Sequence, residues 1–193
     1  MRNNRNMARG VFIILAVIIV FIFVLMLVPA EAYEGEPVWT ARQEELHLRA
    51  EEMRDAGISE EQIAPLSAEW WEEKETLDIV ARVVQGEAGA CPWMHQVAVA
   101  AVVVNRIHSP LFPDTAREVV AQPYQYTTLY LYGFEKTSRQ CYEAAKKALD
   151  GESGVPEDVI WQAEFRQGKE VWWQSDVDTG WWRSTTYFCR GIA

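Results

Sequence analysis

Histidine and cysteine are scarce in this chain: three of each occur in 193 residues, at His47, His95, His108, Cys91, Cys141 and Cys189. Neither H-x-x-x-H nor C-x-x-C is present, so the common zinc spacings are excluded, and no metal or cofactor is expected. Internal repeats and low-complexity tracts are missing too. Basic residues are also in deficit. After residue 32 the chain keeps 15 Lys and Arg against 27 Asp and Glu, which makes nucleic acid and anionic lipid poor partners.

What the N-terminus does have is an uninterrupted apolar stretch, Val11 to Val28, preceded by Arg2, Arg5 and Arg9 with no acid among them. Eighteen apolar residues just span a bilayer, and Ala30-Glu31-Ala32 offers a small-x-small cleavage pattern. The expectation is a signal peptide or membrane anchor over residues 1–32. Everything after it then lies outside the cytoplasm, either tethered to the cytoplasmic membrane by this helix or secreted. In that oxidising setting three cysteines leave room for one disulfide with one thiol over.

Residues 33–73 are dense in Glu and Arg and read as a charged helical arm of two short helices, broken at Gly57 and Pro65. Ser59-Glu60-Glu61-Gln62 is a capping-box pattern that starts the second helix. A catalytic domain is expected over residues 74–193. In its first helix Leu77, Val80, Ala81 and Val84 share one face, and Gly86 is read as the stop. Pro92 opens a second helix whose run Val97 to Val104 is apolar on every side, so it must be central. Short helices follow over Thr115 to Ala121 and Ser138 to Leu149. Strand-like segments then come at Val159 to Phe165, Glu170 to Gln174 and Thr185 to Cys189. The class is α+β, a mainly helical body with a small antiparallel sheet.

Glu87 stands at the end of the first domain helix. Partial negative charge at a helix C-terminus and apolar surroundings both favour the protonated carboxyl, the form that donates a proton to a glycosidic oxygen.

Three blocks carry a family likeness: Ala81-Arg82-Val83-Val84-Gln85-Gly86-Glu87-Ala88, then Gln96 to Arg106, then Ser109-Pro110-Leu111-Phe112-Pro113-Asp114-Thr115. Their order and spacing resemble the SleB-like cell wall hydrolases, which include spore-cortex-lytic enzymes. Gln122-Pro123 with Gln125-Tyr126-Thr127 resembles that family's Q-P-x-Q-F-S stretch, and Cys141 to Leu149 its C-x-x-A-A-x-x-A-L helix. The resemblance implies a lysozyme-like fold acting on peptidoglycan between N-acetylmuramic acid and N-acetylglucosamine, commonly by lytic transglycosylation, with Glu87 as the catalytic glutamate. In that scheme one carboxyl acts first as acid and then as base, and no protein nucleophile is needed. Ordinary hydrolysis generally uses a second carboxylate. Asp114, Glu118, Glu135, Glu164 and Asp176 are available, none of them in a recognisable motif.

Gln122, Gln125, Tyr126 and Thr127 are candidates for lining a glycan cleft. Among nine tryptophans Trp93 is the candidate for sugar stacking, and Tyr187 resembles the family's closing aromatic strand. The residue before that aromatic pair is usually histidine in the family and is Thr186 here. Asn105 and Arg106 match the family but read as structural hydrogen-bonding groups at a buried helix end. Two other functions compete. One is a cysteine peptidase of peptide stems built on Cys91 with His95 or His108. The other is a membrane-tethered, wall-binding protein without catalysis.

Overall fold

The chain divides into two units, Met1–Ala32 and Tyr33–Ala193. The computed structural model describes residues 36–126, 137–178 and 183–191, all within the second unit. The apolar segment Val11 to Val28 therefore lies outside the described residues. Among those described, no helix is long and apolar enough to cross a membrane.

The arm begins with a complete capping box. Thr40 Oγ1 accepts from the Gln43 backbone N–H at 3.1 Å and Gln43 Oε1 accepts from the Thr40 N–H at 3.0 Å, which starts α1 (Ala41–Asp55). Asp150 Oδ1 accepts the Ala41 N–H at 2.8 Å, so the arm is fastened to the domain at its first residue. Gly57, at φ 75°, turns the chain into α2 (Glu60–Ala88). Arg54 spans the turn to Glu60 at 2.8 Å and Arg42 pairs with Glu69, so the two helices form a hairpin around buried Leu46 and Ile63.

Two boundaries differ from the sequence reading. Pro65 does not break the arm and Gly86 does not end the domain helix, because α2 runs unbroken through both for 29 residues. The proline costs only the one hydrogen bond to the Glu61 carbonyl. Glu61, Ala64 and Pro65 are all exposed, so water replaces the missing donor. Residues on both sides of position 73 thus share a single rod of about 43 Å.

The core forms where Leu77, Val80, Ala81, Val83 and Val84 of α2 meet α3 (Trp93–His108). Every residue of α3 from His95 to Arg106 is buried, as its all-round apolar run requires. Next come α4 (Ala116–Val120) and α5 (Arg139–Leu149). The Thr115 and Ser138 hydroxyls cap them by accepting the N–H groups of Glu118 and Cys141. A three-stranded antiparallel sheet follows, β1 (Val159–Ala163), β2 (Val171–Asp178) and β3 (Arg183–Arg190), with β3 in the middle. The mainly helical α+β class is as the sequence implied.

The β1–β2 connection depends on Gly168. It sits at φ 65°, and a Cβ there would fall inside contact distance of the Arg190 carbonyl oxygen and crowd Trp161. Gly168→Ala is expected to cost about 2 kcal/mol or more through left-handed strain and this collision. A lower urea midpoint with unchanged slope checks it.

All three cysteines are free thiols, so the disulfide that export allowed is not formed. They lie on separate elements, with Cys91 between α2 and α3, Cys141 opening α5 and Cys189 ending β3. Cys141 is occupied otherwise: its Sγ lies 3.3 Å from Gln85 Oε1 and 3.2 Å from Ser138 Oγ.

Candidate functional site

The C-terminal turn of α2 and the start of α3 face the sheet across a cavity of about 810 Å3, within the range typical of ligand clefts. The backbone of Gly86 to Cys91 forms one side of it, Gln162, Ala163 and Glu164 of β1 and its following turn another, and Ser184 and Thr186 of β3 a third. Glu87 is solvent-exposed and lines this cavity, so the apolar surroundings expected from the sequence are not what holds it: its apolar neighbours turn away from the cavity. Its position follows from helix periodicity. Val83, Val84 and Ala88 turn into the core and leave Glu87 on the open side of the last turn.

Glu164 is the one second-carboxylate candidate among the described residues that shares the cavity, and its Oε1 accepts from Ser184 Oγ at 2.6 Å. Asp176 instead accepts from Thr185 at 2.6 Å and from Gln174, which hold its carboxyl below the usual range. Glu118 bonds Thr115 at the α4 cap. Glu135 lies outside the described residues.

The other candidates are distributed differently from the sequence expectation. Gln125 Oε1 accepts from Arg106 Nη1 at 2.8 Å, and Tyr126 is buried with the Arg106 guanidinium 5.3 Å from its ring centre. Neither lines the cavity, yet Tyr126 is within electrostatic reach of Glu87. Burial pushes its phenol up to about 12, with the Arg106 charge opposing and Glu87 adding. Tyr124 and Tyr126 both adopt positive φ, at 64° and 40°, so this loop is strained, as loops at functional sites often are. Gln122 is half-buried and Trp93 partly exposed at the start of α3, both outside the cavity lining. Tyr187 lies under Arg166, whose guanidinium is 5.5 Å from the ring. Thr127 lies outside the described residues.

Asn105 and Arg106 are structural, as their burial implied. Asn105 Nδ2 donates to the carbonyls of Pro156 at 2.8 Å and Val159 at 2.9 Å, while Arg106 Nε donates to Ile160 O at 2.7 Å. Together they fasten β1 to the end of α3.

His95 is buried in the first turn of α3 and lines the cavity. Its Nδ1 lies 2.9 Å from Ser175 Oγ, and Trp173 and Phe188 meet its ring edge-on. Among the described residues no imidazole is hydrogen-bonded to Cys91, and burial raises its thiol. The thiolate that a cysteine peptidase needs is therefore disfavoured. Burial also lowers the His95 imidazole from 6.5 to about 4. The unfolded chain binds this proton first, so stability is expected to fall as pH drops from about 6.5 to about 4, with a slope of at most about 1.4 kcal/mol per pH unit. Denaturant midpoints across that window check it, and His95→Phe should flatten the slope.

Gln162 and Ser184 are cavity residues that the sequence did not signal. The alternation of β1 and β3 was visible, but not which strand face would meet the end of α2.

The family model for cell wall hydrolases matches residues 92–188, just over half of the chain. The chain belongs to the cell wall hydrolase family. Glu87 lies just before the matched span.

Among curated relatives, the spore cortex-lytic enzyme of Halalkalibacterium halodurans is 43% identical over 53 residues, covering 28% of this chain and 16% of that protein. The spore cortex-lytic enzyme of Bacillus cereus is 37% identical over 77 residues, covering 38% and 27%. The chain thus spans about a quarter or less of the length of these relatives. Among solved structures, the catalytic domain of the germination-specific lytic transglycosylase SleB from Bacillus anthracis aligns at 24% identity over 60% of this chain and 93% of that one, with a TM-score of 0.46.

Proposed function

We propose that this protein cleaves the glycan strands of peptidoglycan between N-acetylmuramic acid and N-acetylglucosamine, acting outside the cytoplasm behind the apolar N-terminal segment. The observation that carries the reading is Glu87, the carboxyl at the end of α2, lining an open cavity of about 810 Å3 in a chain of the cell wall hydrolase family.

In this reading Glu87 protonates the glycosidic oxygen as the bond to the anomeric carbon breaks. The resulting carboxylate takes a proton from a hydroxyl of the same sugar, whose oxygen closes on the anomeric carbon to give an anhydro product. One carboxyl thus gives a proton and regains one, and water is not consumed. Gln122, Gln125 and Tyr126 belong to a loop that would border the strand, with Trp93 and Tyr187 as outlying aromatic contacts; Thr127, the next residue in sequence, is a further candidate contact.

The test is digestion of purified sacculi by the full chain. Anhydro-muropeptides are the expected product. Reducing muropeptides would replace the single-carboxyl route with hydrolysis, for which Glu164 is the available second carboxylate. Binding without soluble product would mean a tethered wall-binding protein. Activity should survive Cys91→Ala, the substitution that a cysteine peptidase would not tolerate.

A further inference from the structure

Outside Glu87 and Glu164, the cavity wall holds one ionisable side chain whose orientation is fixed on every side. His95 is 3% exposed, yet it lines the cavity, and among the described residues its one side-chain hydrogen bond is between Nδ1 and Ser175 Oγ at 2.9 Å. Phe188 and Trp173, with ring centres at 5.3 Å and 6.3 Å, both meet the imidazole edge-on. These contacts fix the ring plane, while Ser175 fixes which nitrogen points inward. With Nδ1 engaged by Ser175, Nε2 is the ring nitrogen available to a ligand.

Burying an imidazole among aromatic rings costs free energy that an apolar side chain in the same slot would not incur. The cost is offset when the unengaged nitrogen meets a polar group of a ligand. An immobile side chain also binds with little further loss of freedom.

We infer that His95 is a substrate-positioning residue of the Glu87 cavity, its Nε2 hydrogen-bonding an uncharged amide or hydroxyl group of an amino sugar in the strand. This rests on the glycan-cleaving reading above. The class of ligand group follows from the state of the ring. A histidine kept neutral by burial has no positive charge to pair with a carboxylate, so it suits acetamido and hydroxyl groups better than the acidic groups of peptide stems. His95 reaches the sugar from α3, while Glu87 reaches the bond from α2.

The experiment uses the full chain and soluble glycan strands freed of peptide by an amidase. His95→Phe fills the slot between Trp173 and Phe188 and removes the nitrogen. The expected result is a KM raised about tenfold, with kcat within about threefold and an undiminished melting temperature. Ser175→Ala, which releases the ring, should raise KM about threefold. A folded His95→Phe protein with the wild-type KM overturns the inference while leaving strand cleavage intact. A wild-type protein that neither binds nor cleaves the strands overturns both readings.

Should His95→Phe fail to fold, NMR keeps the inference testable. With three histidines in the chain, the His95 imidazole signals of the Glu87→Gln protein can be assigned and followed as intact strands are added. A shift of the Nε2 resonance is expected, and one that stays fixed at saturating glycan overturns the assignment.

Discussion

Glu87→Gln should abolish release of soluble muropeptides from sacculi, lowering the rate by about a thousandfold or more, while the protein melts within a few degrees of wild type. Glutamine keeps the size and polarity of the side chain but has no proton to give and no carboxylate to take one back. Both halves of the reaction then lose their agent. The side chain is exposed at the end of α2, and a surface substitution of this kind changes stability by about 0.5 kcal/mol or less. An unchanged urea midpoint for the variant separates loss of activity from unfolding. Glu87→Asp is the finer probe. It keeps the acid but retracts it by one methylene, and a misplacement of about 1 Å costs on the order of a hundredfold. A glutamine variant with more than a tenth of wild-type activity would remove Glu87 from the reaction.

Much of the scaffold behind this site can be read from local pattern. The apolar run of α3 announced a helix with no exposed face, and His95 to Arg106 are all buried. The helix starts at Ser138 and Thr115, the turn at Gly57 and the three strand segments were equally visible, since each depends on residues within a few positions of one another. The helix read from Ser59 also starts there, but without the capping box, because the Ser59 side chain makes no cap hydrogen bond. The misreadings concern helix ends and long-range pairings. Pro65 and Gly86 both weaken a helix locally, yet packing of Ile63 on one side and of Leu77 to Ala88 on the other keeps α2 continuous. His95 and Ser175 are separated by 80 residues, and no periodicity in either segment points to the other. The same holds for the cavity. Glu87 could be singled out, but the β1 and β3 residues opposite it come from sequence 75 to 99 positions away. Gln125 and Tyr126, read as cleft residues, are engaged by Arg106, a partner that lies near the end of α3.

Arg106→Leu is expected to destabilise the fold by about 3–5 kcal/mol, the largest effect on stability of any single substitution considered. Arg106 is 1% exposed, and its guanidinium joins three parts of the molecule. Nε holds the β1 backbone at Ile160, Nη1 holds the loop at Gln125, and the rings of Phe112, Tyr126 and Trp161 surround it at 5.0, 5.3 and 5.4 Å. Burial lowers its pKa, so the charge is kept by these carbonyl oxygens and aromatic faces. Leucine would leave the Ile160 carbonyl and the Gln125 amide without their donor and open space among three rings. Arg106→Lys keeps the charge but cannot fork to both oxygens or stack flat, and should cost about 2 kcal/mol or more. Urea denaturation reports both as lower midpoints with unchanged slopes. Activity at low temperature separates the two roles of this residue. If Arg106 acts only by fastening β1 and the Gln125 loop, folded Arg106→Lys protein at 10 °C should recover most of the wild-type kcat. A folded variant whose kcat stays a hundredfold down would mean that Arg106 itself meets the strand.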